Sequence, residues 1–142
     1  MINAGIFTLG DFTITTAGTQ TGDWVEDLDG LTAMTTQLRL AYGSGGTDIK
    51  AYLQTSIDQG TTAVDIACVT FGTVSKVEIL NHSGLTPVAM TGSPPSGVLP
   101  SDGALSDDSV VDGVLGDRVR LKVISTGTYA GQTVLSARIA AR

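Results

Sequence analysis

The chain has 142 residues, 42% hydrophobic and only 15% charged, with a net charge of −6. Such a length and apolar content suit one domain with its own core and exclude disorder throughout. The acidic balance excludes a phosphate-backbone binder, the single Cys68 excludes an intrachain disulfide, and no stretch reaches the roughly 20 apolar residues of a membrane span.

Residues 1–12, MINAGIFTLGDF, lack a basic region followed by a long apolar run, so the start does not read as a secretory signal. Synthesis in a cytoplasm, with no oxidation needed to fold, is expected. Period-two alternation recurs along the chain, while no long window keeps apolar residues at a spacing of three to four. The first strand is expected over 6–15 and a short second one over 24–28. Leu38, Leu40 and Tyr42 alternate with polar neighbours in a third strand, and Ile49, Ala51 and Leu53 do so in a fourth. The intervening Ser44-Gly45-Gly46-Thr47 predicts a hairpin between these two. Ser56 to Thr62 has turn chemistry. Val64, Ile66 and Cys68 predict one face of a fifth strand, with Cys68 packing as a small hydrophobe. Val77 and Ile79 share a face in a sixth.

Residues 82–112 hold all four prolines and Asp102, Asp107, Asp108 and Asp112. The segment is too long for an ordinary connection, and an arm or lid-like excursion is expected. Val119, Leu121 and Val123 then alternate with Arg118, Arg120 and Lys122, and Leu135, Ala137 and Ile139 alternate with Ser136 and Arg138. These two runs, joined by a Gly/Thr/Ser-rich turn, read as a second hairpin. About eight short strands without crossover helices predict an all-β fold, an antiparallel two-sheet β-sandwich, jelly-roll-like or Ig-like. One domain spans 1–142, with residues 1–12 and the 82–112 loop as contact arms.

The chemistry of catalysis is thinly represented. His82 is the sole histidine, and no G-x-S-x-G elbow supplies a nucleophile. One Cys and one His fall short of a zinc site, and no phosphate-cradling glycine loop occurs. The four aspartates of 102–112 are oxygen ligands of the kind calcium takes, but they do not match the EF-hand spacing, and turn formation accounts for them as well. A carbohydrate-binding sandwich is an alternative, with Tyr52 facing outward and Tyr129 in a turn as stacking rings. Charge is uneven: residues 1–38 carry five acids and no Lys or Arg, while 118–142 carry five bases and no acid. Two solvated faces explain this, as does electrostatic matching between neighbouring copies.

Several motifs follow one another in order. They are Gln54-Thr55-Ser56, the Asp/Gly/Thr turn from 58 to 62, Gly116-Asp117-Arg118-Val119-Arg120-Leu121-Lys122, and the run from Ser125 to Gly131. In this order they resemble small virion proteins encoded among the structural genes of tailed bacteriophages. Ala63 stands where such proteins often carry Trp, which speaks against a shared ligand site there. The resemblance implies a non-enzymatic structural part of a virion, without cofactor or metal. The leading expectation is a capsid decoration (cement) protein that binds the major capsid protein and bridges capsomers. The resemblance also implies a homo-oligomer, with a trimer favoured. A head–tail connector, neck or tail-associated position is the alternative within the virion. Arg118, Arg120, Lys122, Pro94, Pro95 and Tyr129 are the expected assembly contacts.

Overall fold

A computed structural model describes residues 4–89 and 102–142, so Pro94 and Pro95 lie outside the described residues. The fold is the expected antiparallel β-sandwich. Its strands are β1 (Gly5–Ile14), β2 (Gly18–Thr21), β3 (Ala33–Ala41), β4 (Ser44–Gly45), β5 (Asp48–Ser56), β6 (Val64–Thr70), β7 (Lys76–Ser83), β8 (Ser109–Val110), β9 (Arg118–Thr126), β10 (Tyr129–Ala130) and β11 (Thr133–Ala141). Sheet A has the order β1-β11-β3-β7, and sheet B the order β2-β9-β5-β6-β8. Alternation along each strand sends one set of side chains into a shared core. Leu38 and Leu40 of β3, Leu135, Ala137 and Ile139 of β11, Ile49 and Leu53 of β5, and Val119, Leu121 and Val123 of β9 all lie there, almost fully buried.

The expected short strand at 24–28 is reduced to a single bridge between Val25 and Val119. Residues 5–12, expected in a contact arm, form most of β1 and pair with β11.

Both expected hairpins are overturned. β3 pairs with β11 and β7 in sheet A, while β5 pairs with β6 and β9 in sheet B. β9 and β11 likewise belong to opposite sheets. Each turn is an arch that carries the chain across the sandwich. The two arches clasp each other, because Tyr129 and Ala130 of one pair with Gly45 and Ser44 of the other. Glycine makes that possible at Gly46, where φ is +76° and a Cβ would fall inside the Tyr129 ring. Tyr129 is therefore not an exposed turn residue. Its ring is 2% exposed, its hydroxyl donates to the Gly72 carbonyl at 2.9 Å, and Tyr42 meets it edge-on with centroids 6.2 Å apart.

The two outer faces differ. On sheet A, Thr8, Gln37, Arg39, Val77, Ile79 and Asn81 are exposed. Val77 and Ile79 do share a face, as expected, but it is the solvent face. On sheet B, Tyr52, Gln54 and Asp65 also point outward and are nevertheless buried, because residues 102–112 lie across them, and Ser56 is buried beneath the turn that holds Asp58 and Gly60.

Candidate functional site

The covered face of sheet B is built from the bases expected at assembly contacts. Arg118, Arg120 and Lys122 stand at alternate positions of β9, opposite Ser56, Gln54 and Tyr52 of β5. Each has partners within the chain. Arg118 Nη1 donates to Glu26 Oε1 at 2.9 Å and to the Gln59 carbonyl at 3.2 Å, and its Nε donates to Asp117 Oδ1 at 3.1 Å. Arg120 Nε donates to Gln54 Oε1 at 2.8 Å, and its guanidinium lies 4.3 Å from the Trp24 ring centroid. Lys122 Nζ donates to Asp102 Oδ1 at 2.9 Å and to the Asp102 carbonyl at 3.1 Å. The three side chains are only 13%, 18% and 16% exposed. They hold the 22–30 and 102–117 segments onto the sheet. Part of the charge asymmetry in the sequence is thereby matched within one molecule, since Glu26 meets Arg118 and Asp11 meets Arg138 at 3.1 Å.

Asp65 is the centre of this arrangement, and the sequence reading missed it. It sits on β6 beside a bulge and is fully buried. Its two carboxylate oxygens accept from the backbone N–H groups of Gly103, Ala104 and Leu105 at 2.8–3.1 Å. Gln54 Nε2 donates to Asp65 Oδ1 at 2.8 Å and to Asp102 Oδ1 at 3.2 Å. A buried carboxylate is tolerable only with this density of donors. An acid inside an otherwise apolar strand, VDIACV, is the signal that marks such a residue.

The other aspartates of 102–112 behave as separate pins. Asp107 pairs with Lys50 at 2.8 Å. Asp108 accepts from the Thr70 backbone and hydroxyl at 2.9 Å, and Asp112 accepts from the Ser83 N–H at 2.6 Å and the Thr86 hydroxyl at 3.0 Å. Lys122 beside Asp102, the Thr70 amide on Asp108 and the Ser83 amide on Asp112 each hold the carboxyl below its ordinary range. Among the described residues no group of three or more acids, Cys or His could hold a metal ion.

The remaining candidates are also placed. His82 is buried and donates from Nε2 to the Ile66 carbonyl at 2.8 Å, while its Nδ1 has no partner. Cys68 is buried against Tyr52, and desolvation pushes its thiol up, which leaves it a poor nucleophile. Tyr52 does point outward from its strand, as expected, but it is only 4% exposed. With Tyr129 buried as well, neither proposed glycan-stacking ring is available.

The chain matches no protein-family model and no curated protein. Among the described residues, exposed apolar side chains gather in two places, with Val74 and Val110 exposed elsewhere. One is the outer face of sheet A, where Ile6 is 78%, Ile79 64% and Val77 50% exposed. A hollow of about 210 Å³ there is lined by Ile6, Thr35, Gln37, Ile79 and Arg138 among others. The second is the end of the sandwich where the long loops gather. Ile57 is 78% and Leu85 75% exposed in those loops.

Proposed function

We propose that this chain is a non-enzymatic structural protein of a tailed-bacteriophage virion, a decoration protein that binds the outer shell and bridges capsomers. One observation carries the reading: among the described residues, exposed apolar side chains gather on the outer face of sheet A and at the loop end of the sandwich, while residues 102–112 cover part of sheet B. Sheet B is capped by residues 102–112, at the expense of a dense polar network. Sheet A is left bare, with Ile6, Val77 and Ile79 standing among Thr, Gln and Arg side chains. Contiguous exposed apolar surface of this kind marks protein contacts. Two such surfaces let one small protein hold two neighbours at once, whether shell proteins or further copies of itself, which is what a bridging layer requires. The order of motifs from Gln54 to Gly131 supports the virion placement, and the rigid sandwich suits a part that bears load without chemistry.

Copy number in purified particles tests this, by quantitative mass spectrometry against the major shell protein. A ratio near one to one, or one trimer per threefold site, is the expected result. A dozen copies or fewer would instead place the chain in a neck or tail ring. Absence from particles would overturn the reading.

A further inference from the structure

The two apolar surfaces differ in charge, and that difference identifies a partner. At the loop end, an open cleft of about 380 Å³ is lined by Asp29, Gly30, Leu31, Ile57, Gln59, Leu115, Gly116 and Asp117. Glycines bring its walls together. A Cβ on Gly116 would lie 3.2 Å from Ile57 Cγ2, and one on Gly84 would lie 3.5 Å from Leu115 Cδ1. The exposed Leu85 follows Gly84 directly. Ile57, Leu31 and Leu115 line the cleft, and Leu85 is exposed in the segment beside it. Two acids, Asp29 and Asp117, line it, and Glu26, Asp27, Asp58 and Asp112 lie in adjoining segments, with Arg118 paired to Glu26 and Asp117. Asp58 is held ionised by the Thr62 amide, and Asp112 by the Ser83 amide.

The outer face of sheet A has the opposite character. Arg39 stands across from Val77, and Gln37 lies between Arg138 and Ile79. Two exposed apolar side chains are therefore set beside two guanidiniums, with Asp11 as the facing acid.

We propose that the occupant of the acidic loop-end cleft is the basic apolar face of sheet A in a second copy of this chain. The contact is heterologous: each molecule offers its cleft to one neighbour and its face to another. Such contacts close into a ring when the rotation allows and otherwise propagate. Apolar side chains at the centre supply the affinity, and opposite charge around them sets the register and speeds encounter. This goes beyond the virion reading and does not rest on it, because the copies join before any shell is present.

Sedimentation velocity on the purified chain tests the inference. The wild type is expected to associate as its concentration rises through the micromolar range, and less so in high salt. A cleft variant, Ile57→Asp with Leu85→Asp, and a face variant, Val77→Asp with Ile79→Asp, are each expected to stay monomeric alone. All four positions are exposed, and an unchanged circular dichroism spectrum confirms that the variants fold. Mixed one to one, they are expected to form a dimer and nothing larger, since the mixture restores one intact cleft against one intact face. A wild type that is monomeric throughout would overturn the proposal. So would a mixture that stays monomeric, or a single variant that still dimerises alone. Copy number in particles is a separate measurement, so failure here leaves the virion placement to stand or fall by itself.

Discussion

Replacing Asp65 with alanine removes the acceptor for three consecutive amides and for one buried side-chain donor. The amides of Gly103, Ala104 and Leu105 bond to its carboxylate at 2.8–3.1 Å, and Gln54 Nε2 does so at 2.8 Å. A hydrogen bond to a charged group contributes about 1.5–3 kcal/mol where water cannot replace it. Here the amides lie near the surface and rehydrate once the loop lifts, so each contributes about 1 kcal/mol or less. Gln54 is fully buried but keeps Asp102 as an acceptor. Together these give a loss of about 3 kcal/mol, or roughly 6–12 °C in Tm for a domain of this size. Thermal unfolding followed by circular dichroism reads the global loss. Amide exchange at residues 103–105 reads the local one, and those amides are expected to lose protection first. A Tm within 2 °C of wild type, with protection at 103–105 intact, would refute the account of Asp65 as the anchor of the loop.

Gly46→Ala drives a Cβ into the Tyr129 ring at a backbone φ of +76°, and a loss of about 2–4 kcal/mol in urea unfolding is expected. Tyr129→Phe deletes only the 2.9 Å bond to the Gly72 carbonyl and is expected to cost about 1 kcal/mol by the same measurement. Arg120→Ala uncovers the sole tryptophan, so a red shift of Trp24 fluorescence is expected, with a stability loss of about 1–2 kcal/mol; an unchanged emission maximum would count against the stacking. Acid is expected to loosen the 102–112 segment. The carboxyls of Asp102, Asp108 and Asp112 are depressed in the folded state, so their contribution is present above the unfolded value of about 4 and is lost as pH falls through the folded values. Amide exchange between pH 5 and pH 2 checks this, and equal protection across that range would oppose it.

Strands were legible where polar side chains mark the outer face. β3, β9 and β11 keep strict alternation, and their inward residues could be named from sequence. Strand partners were not legible, because an arch and a hairpin use the same Gly, Ser and Thr residues. Gly45-Gly46 and Gly127 permit either, and only the pairing of Tyr129 with Gly45 decides. β5 and β6 lose their alternation where a second layer covers them, and nothing local announces that layer. The outward direction of Arg118, Arg120 and Lys122 was legible too. Their partners were not, since Glu26, Asp102 and Gln54 are distant in sequence. Tyr129 was misplaced for a related reason. Its burial depends on a hollow left by Gly46, more than eighty residues earlier.

The position of β11 has a consequence for how the molecule is made. It comes last among the described strands, yet it lies between β1 and β3, pairing with both. Until residues 133–141 leave the ribosome, two strands of sheet A have no common neighbour, and a slot one strand wide stands open with unpaired backbone on both sides. Contacts of such sequence separation form slowly, and open edges invite foreign strands. The nascent chain is therefore vulnerable to mispairing until β11 emerges, and a copy that loses β11 would expose that slot permanently.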